Sequence, residues 1–183
     1  MRQFFIASLT GIILWSCGNS NHDIALQQTD SLLNIVILID TTIASYELDT
    51  AKDRYKTMKN EVEFFGMYLT VLPEDSLQRI SLSEYANTSK GFKRFFNNLT
   101  TFVTSIKFTR SQLENLKADI INGVLDKDET AKFLSEEKKA VNDLHTEMQK
   151  SIEKYNWLCS EAASRQKTVL QIVDSLKKVN KIQ

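Results

Sequence analysis

Three separate stretches of the chain place an apolar residue at every seventh position, and that period decides most of what the chain can fold into. The first carries Leu48, Tyr55, Val62 and Leu69 in one row, and Ile37, Ala44, Ala51, Met58 and Phe65 in another. The second carries Phe92, Leu99, Ile106, Leu113 and Ile120, with Phe95, Phe102 and Leu116 beside them. The third runs Leu134, Val141, Met148, Tyr155, Ala162, Val169 and Leu176 without a polar interruption. A seven-residue repeat held this long keeps one stripe of a helix against a partner helix, knobs into holes. Leu144, Leu158 and Ile172, with Ile152, Cys159 and Val173, widen the third stripe, which suits a helix touching two neighbours.

Glycine occurs five times and proline once in 183 residues, where average usage gives roughly 13 and 9. A chain so short of turn-formers does not build sandwiches, barrels or glycine-loop nucleotide sites. The stop and start signals fall between the repeats. Pro73 with Glu74, Asp75 and Ser76 ends the first helix and starts a short one, and Asn87-Thr88-Ser89 offers caps before Phe92. Asn122-Gly123 stops the second long helix, and Asp126 with Glu129 makes a capping box for the third. The pattern predicts helices over about 31–70, 75–86, 90–122 and 127–180. The expected fold is all-α, an elongated antiparallel three-helix bundle of coiled-coil-like helices with a short helical cap. Its first and last helices would span about 60 and 80 Å.

The N-terminus is different in kind. Arg2 precedes a twelve-residue uncharged apolar stretch over residues 4–15, about 18 Å as a helix and short of the ~30 Å hydrocarbon core. That length fits a signal-peptide core better than a membrane span. Leu14-Trp15-Ser16-Cys17 resembles the lipobox of bacterial lipoproteins, where the cut falls before a cysteine that receives acyl chains. The resemblance implies a signal peptide over 1–16 and lipidation of Cys17. Gly18, where enterobacterial lipoproteins destined for the inner membrane carry Asp, implies the outer membrane. No acidic run follows Cys17, so the surface-export signal of Bacteroidetes lipoproteins is not evident and the periplasmic face is expected. Residues 17–29 then read as the lipidated cysteine and a flexible tether, and 30–183 as a single helical domain.

Catalytic chemistry has little to stand on. The 23 basic and 23 acidic side chains balance, which removes the electrostatic case for nucleic acid. His22 and His145 stand outside any metal-ligand spacing, and Cys159 sits on the broad inner stripe as an inert thiol. Asp126, Asp128, Thr130 and Glu137 match calcium-loop positions, but Ala131 stands where the bend needs glycine, so capping accounts for the acids. No nucleophile elbow, Walker loop or Ser-His-Asp order can be assembled, and neither a metal nor another cofactor is expected.

Two patterns remain. Seven of the eight phenylalanines beyond the leader lie between Phe64 and Phe108. Phe64, Tyr68 and Tyr85, with Trp157 on an outward heptad position, are therefore candidates for a partner-binding patch at the end away from the membrane. Asp followed by Ser or Thr and a small or aliphatic residue occurs five times where roughly one is expected. The tripeptide resembles the O-glycosylation sequon of Bacteroidetes, which implies Ser31, Thr50, Ser76 and Ser175 as acceptors. The function expected is a non-enzymatic, lipid-anchored scaffold, adaptor or partner-binding subunit of the cell envelope. The alternative is a sensor-like bundle holding a small ligand among the distal aromatics.

Overall fold

The computed structural model describes residues 20–69, 72–74 and 76–179, so the signal peptide expected over 1–16 and the expected lipidation site Cys17 lie outside the described residues. Four helices follow in order: α1 Ser20–Ala44, α2 Leu48–Gly66, α3 Leu77–Ile121 and α4 Lys127–Val179. They pack as an all-α bundle in which α3 and α4 are two long antiparallel rods, and α1 with α2 makes the third arm. No strand occurs among the described residues.

The α3–α4 hairpin follows from its repeats. Phe92, Leu99, Ile106, Leu113 and Ile120 are all buried, as are Leu134, Val141, Met148, Ala162 and Val169, while Tyr155 and Leu176 pack half-buried against them. Gly123 closes the turn in the left-handed conformation, φ 64°. Its N–H donates to the Ile120 carbonyl at 3.1 Å and that of Val124 to Asp119 at 3.0 Å, the paired bonds of a Schellman stop. The expected capping box also forms. Asp126 Oδ1 accepts from the Asp128 and Glu129 amides, both at 2.8 Å, and Glu129 Oε2 accepts from the Asp126 amide at 3.1 Å.

Three expected boundaries are corrected. The short helix over 75–86 and the helix over 90–122 are one, because the seven-residue row continues from Phe92 back to buried Tyr85. Thr88 does not cap; its hydroxyl donates to the Glu84 carbonyl one turn back, at 3.0 Å. Gly91 lies within this continuous helix and does not interrupt it. A Cβ there would come within 2.6 Å of Leu158 Cδ2, so glycine is what lets α3 approach α4. The tether is the second correction: α1 begins at Ser20, with Ala25 and Thr29 buried, and the Thr29 hydroxyl donates to the Ala25 carbonyl at 2.9 Å.

The third is the single helix over 31–70, which breaks at residues 45–47 with neither glycine nor proline there. The cause is a jump in seam phase. Along α1 the buried row is Thr29, Leu32, Val36, Ile39 and Ile43, so the seam would continue at 46, 50 and 53. Along α2 it is Leu48, Ala51, Tyr55, Met58, Val62 and Phe65. Equivalent seam positions Ile43 and Leu48 are thus five residues apart instead of seven, about 200° of helix rotation. One continuous helix could bury only one half. The chain therefore leaves the helix, turns by 44° and restarts. Ile37 and Ala44, placed on the seam by their spacing from Ala51, are exposed. Replacing residues 45–47 with three alanines is expected to leave this bend in place. Spin labels at Gln27 and Glu63, in a Cys159→Ser background, should report an unchanged separation. Lengthening toward the ~54 Å of an unbroken helix would mean that local propensity, not seam phase, makes the break.

The N-terminus of α1 lies at the α3–α4 turn, where the His22 ring Nε2–H donates to the Ile120 carbonyl at 2.9 Å. Asp30 pairs with Lys117 at 2.6 Å one level further along. A small apolar cluster of Ala25, Leu116, Ile120 and Leu134 closes this base, separate from the main core.

Candidate functional site

The residues singled out for partner binding do not form one patch. Phe64 and Tyr68 are half-buried neighbours, ring centroids 5.6 Å apart, with the Lys177 ammonium 5.4 Å from the Phe64 ring. Tyr85 is 1% exposed and donates to the Glu61 carboxylate. Burial, then that hydrogen-bonded carboxylate, holds its phenol well above the ordinary tyrosine range. It is a core residue and presents nothing to a partner. Trp157 is 49% exposed, as its outward heptad position predicts, with the Lys154 ammonium 3.9 Å above its ring. Its neighbour Leu158 packs at the level of Gly91, however, and twenty residues of α4, about 30 Å, separate Trp157 from Lys177.

Most of the aromatic enrichment is spent inside the bundle. Tyr46, in the α1–α2 break, meets Tyr155 edge-on at 5.2 Å; Tyr155 meets Phe95 at 5.7 Å, and Phe96 contacts Phe95, Phe92 and Tyr55. The Tyr155 hydroxyl also donates to the Glu47 carbonyl at 3.4 Å, so large rings fill the space left where the arm bends. The crevice between Tyr46, Phe95 and Tyr155 holds about 10 Å³, room for about one water molecule.

A different surface is unusual. Between Arg2 and Lys52 the chain has no lysine or arginine, and the acidic residues of α1 are Asp23, Asp30 and Asp40. Asp30 is turned into its pair with Lys117, and Asp40 is half-buried. From Ile24 to Ser45 no exposed position is charged, and Ile35, Ile37 and Leu38 stand in the middle of that face, Leu38 61% exposed. Its hydroxyls are satisfied inward, since Ser31 donates to the Gln27 carbonyl and Thr41 to that of Ile37, both at 2.9 Å. The exposed positions of α4, by contrast, carry Lys and Glu along its length. Sequence spacing hides this face by assigning Ile37 and Ala44 to the core; the long run from Arg2 to Lys52 without lysine or arginine is the signal that could have found it.

Of the proposed acceptor hydroxyls, Ser31, Thr50 and Ser175 are exposed. Ser76 is the N-cap of α3, accepting from the Arg79 amide at 3.2 Å and donating to the Pro73 carbonyl at 2.8 Å. Cys159 is a half-buried free thiol whose carbonyl accepts from Arg54 at 3.4 Å. Among the described residues no group of three His, Cys, Asp or Glu could hold a metal ion, and no single helix is long and apolar enough to cross a membrane. At the base a groove of about 630 Å³ opens between the first turns of α1 and α4, with Ile24, Ala25, Leu125 and Leu134 among its walls and Lys127 and Lys138 beside them. No protein-family model, curated protein or solved structure matches the chain.

Proposed function

We propose that this chain is a lipid-anchored envelope protein that acts by binding rather than by catalysis. Acyl chains on Cys17 hold it at the periplasmic face of the outer membrane, and the bundle serves as a scaffold or adaptor for a protein partner. The observation that carries the binding role is the uncharged outer face of α1 centred on Ile35 and Leu38. A partner suited to it presents a matching uncharged, aliphatic surface, because a charged one would lose hydration with nothing to pair with. The length of the face, about 30 Å from Ile24 to Ser45, fits a helix laid along α1.

A photo-crosslinking residue at Gln27, on the rim of the face, tests this in membranes of the native host. Leu38→Asp is expected to weaken capture of the partner by at least about 30-fold, the effect of losing one ~2 kcal/mol hot spot. The fold should be untouched, since exposed substitutions shift stability by no more than about 0.5 kcal/mol. Trp157→Ala is the matched control and is expected to capture as wild type. The reverse pattern, capture lost with Trp157→Ala and kept in Leu38→Asp, would move the interface to α4. The competing reading, a small-ligand sensor, is less supported by the crevice at the aromatic rings, which holds about 10 Å³.

A further inference from the structure

The base of the bundle carries apolar side chains that its fold does not need. Residues 121–125, Ile-Asn-Gly-Val-Leu, hold no charge between Asp119 and Asp126. Ile121 is 56% exposed and Val124 66%, although Gly123 and its two backbone bonds are what close the turn. These side chains sit on a fixed turn, so their exposure is a property of the folded chain. Ile24, 50% exposed, flanks the same end, and the apolar wall of the basal groove opens beside it.

What lies against this end follows from the reach of the chain. The bond from His22 to Ile120 ties the start of α1 to the turn. Cys17 precedes Ser20 by three residues, a span of at most about 11 Å. Acyl chains on Cys17 therefore bring the membrane surface to the turn itself. We infer that the α3–α4 turn seats Ile121 and Val124 in the lipid interface, a second contact that stands the bundle upright on the membrane. The turn has no basic cluster, since Lys127 is flanked by Asp126 and Asp128. The contact is therefore apolar and suits zwitterionic lipid. This inference rests on lipidation of Cys17 as proposed above.

The test uses the full lipidated protein in phosphatidylcholine vesicles with brominated acyl chains, which quench tryptophan within the bilayer. Trp157→Phe removes the native fluorophore, and either Val124→Trp or Met67→Trp then supplies a single reporter. Met67, 66% exposed, follows α2 at the opposite end of the bundle. In the Val124→Trp protein the indole emission is expected to shift to the blue and to lose most of its intensity. In the Met67→Trp protein the emission is expected to keep its intensity. Flotation with the vesicles reads the anchor separately. Protein that floats with both reporters unquenched overturns the basal contact and leaves the anchor standing. Protein that fails to float overturns the anchor and the basal contact with it.

Discussion

Gly91→Leu is expected to lower the unfolding free energy by about 3 kcal/mol, the upper end of what overpacking costs. Even a methyl group at this position would stand 2.6 Å from Leu158 Cδ2, and Leu158 is wholly buried between the two longest helices. A branched side chain on each facing position forces the rods apart and strips contacts for a turn on either side. Against a typical stability of about 5–15 kcal/mol that is a large fraction. Gly91→Ala separates the steric part from the backbone part. Alanine gains about 1 kcal/mol in helix propensity, which offsets the shift of one flexible methyl, so near-neutrality is expected. Leu158→Ala in the Gly91→Leu chain should restore part of the loss, a coupling of about 0.5–3 kcal/mol between two touching residues. Urea unfolding followed by circular dichroism measures these variants, Leu158→Ala alone and the wild type. A Gly91→Leu midpoint equal to wild type would mean that α3 and α4 do not approach this closely.

The other large effect is on location. With Cys17→Ser, and the leader exchanged for one removed by the general signal peptidase so that the apolar stretch over residues 4–15 is not retained, the protein is expected to move from the membrane to the soluble fraction. Each buried methylene of an acyl chain contributes about 0.8 kcal/mol, and several chains together make attachment stable. No single helix among the described residues is long and apolar enough to replace them. The basal turn offers two aliphatic side chains, worth about 1.5–3 kcal/mol each at full burial, enough to orient a tethered body but not to retain a free one. Carbonate-washed membranes and the soluble fraction, compared by immunoblot, decide the matter. A Cys17→Ser protein that withstands the wash would place the anchor elsewhere in the chain.

How legible the fold is depends on which quantity decides each feature. The α3 and α4 seams, the Gly123 stop and the Asp126–Glu129 box are set by local period and capping chemistry, and these are written in the sequence. The α1–α2 break is hidden because Ile37, Ala44 and Ala51 keep a seven-residue spacing across it, although only Ala51 faces the core. Gly91 and Thr88 look like punctuation by composition, yet the deciding fact at Gly91 is the distance to Leu158 on another helix. The candidate site divides in the same way. Heptad position places Trp157 outward, and it is exposed. Aromatic density singles out Tyr85, although it stands seven residues before Phe92 and so belongs to the seam.

The two phases of the α1–α2 arm have a consequence for the register of the whole bundle. Helices with a uniform heptad can slide past one another by seven residues and still bury an apolar stripe, so such bundles depend on special residues to fix one alignment. Here a slide of the arm by one heptad would carry the jump between Ile43 and Leu48 away from the rings of Tyr155 and Phe95 that fill its hollow, and draw Tyr46 off its edge-on contact. The bend is a notch, and the aromatic stack is the tooth that engages it. Shape thereby adds to the few polar contacts between the helices, such as Asp30 with Lys117 and Tyr85 with Glu61, in selecting one alignment.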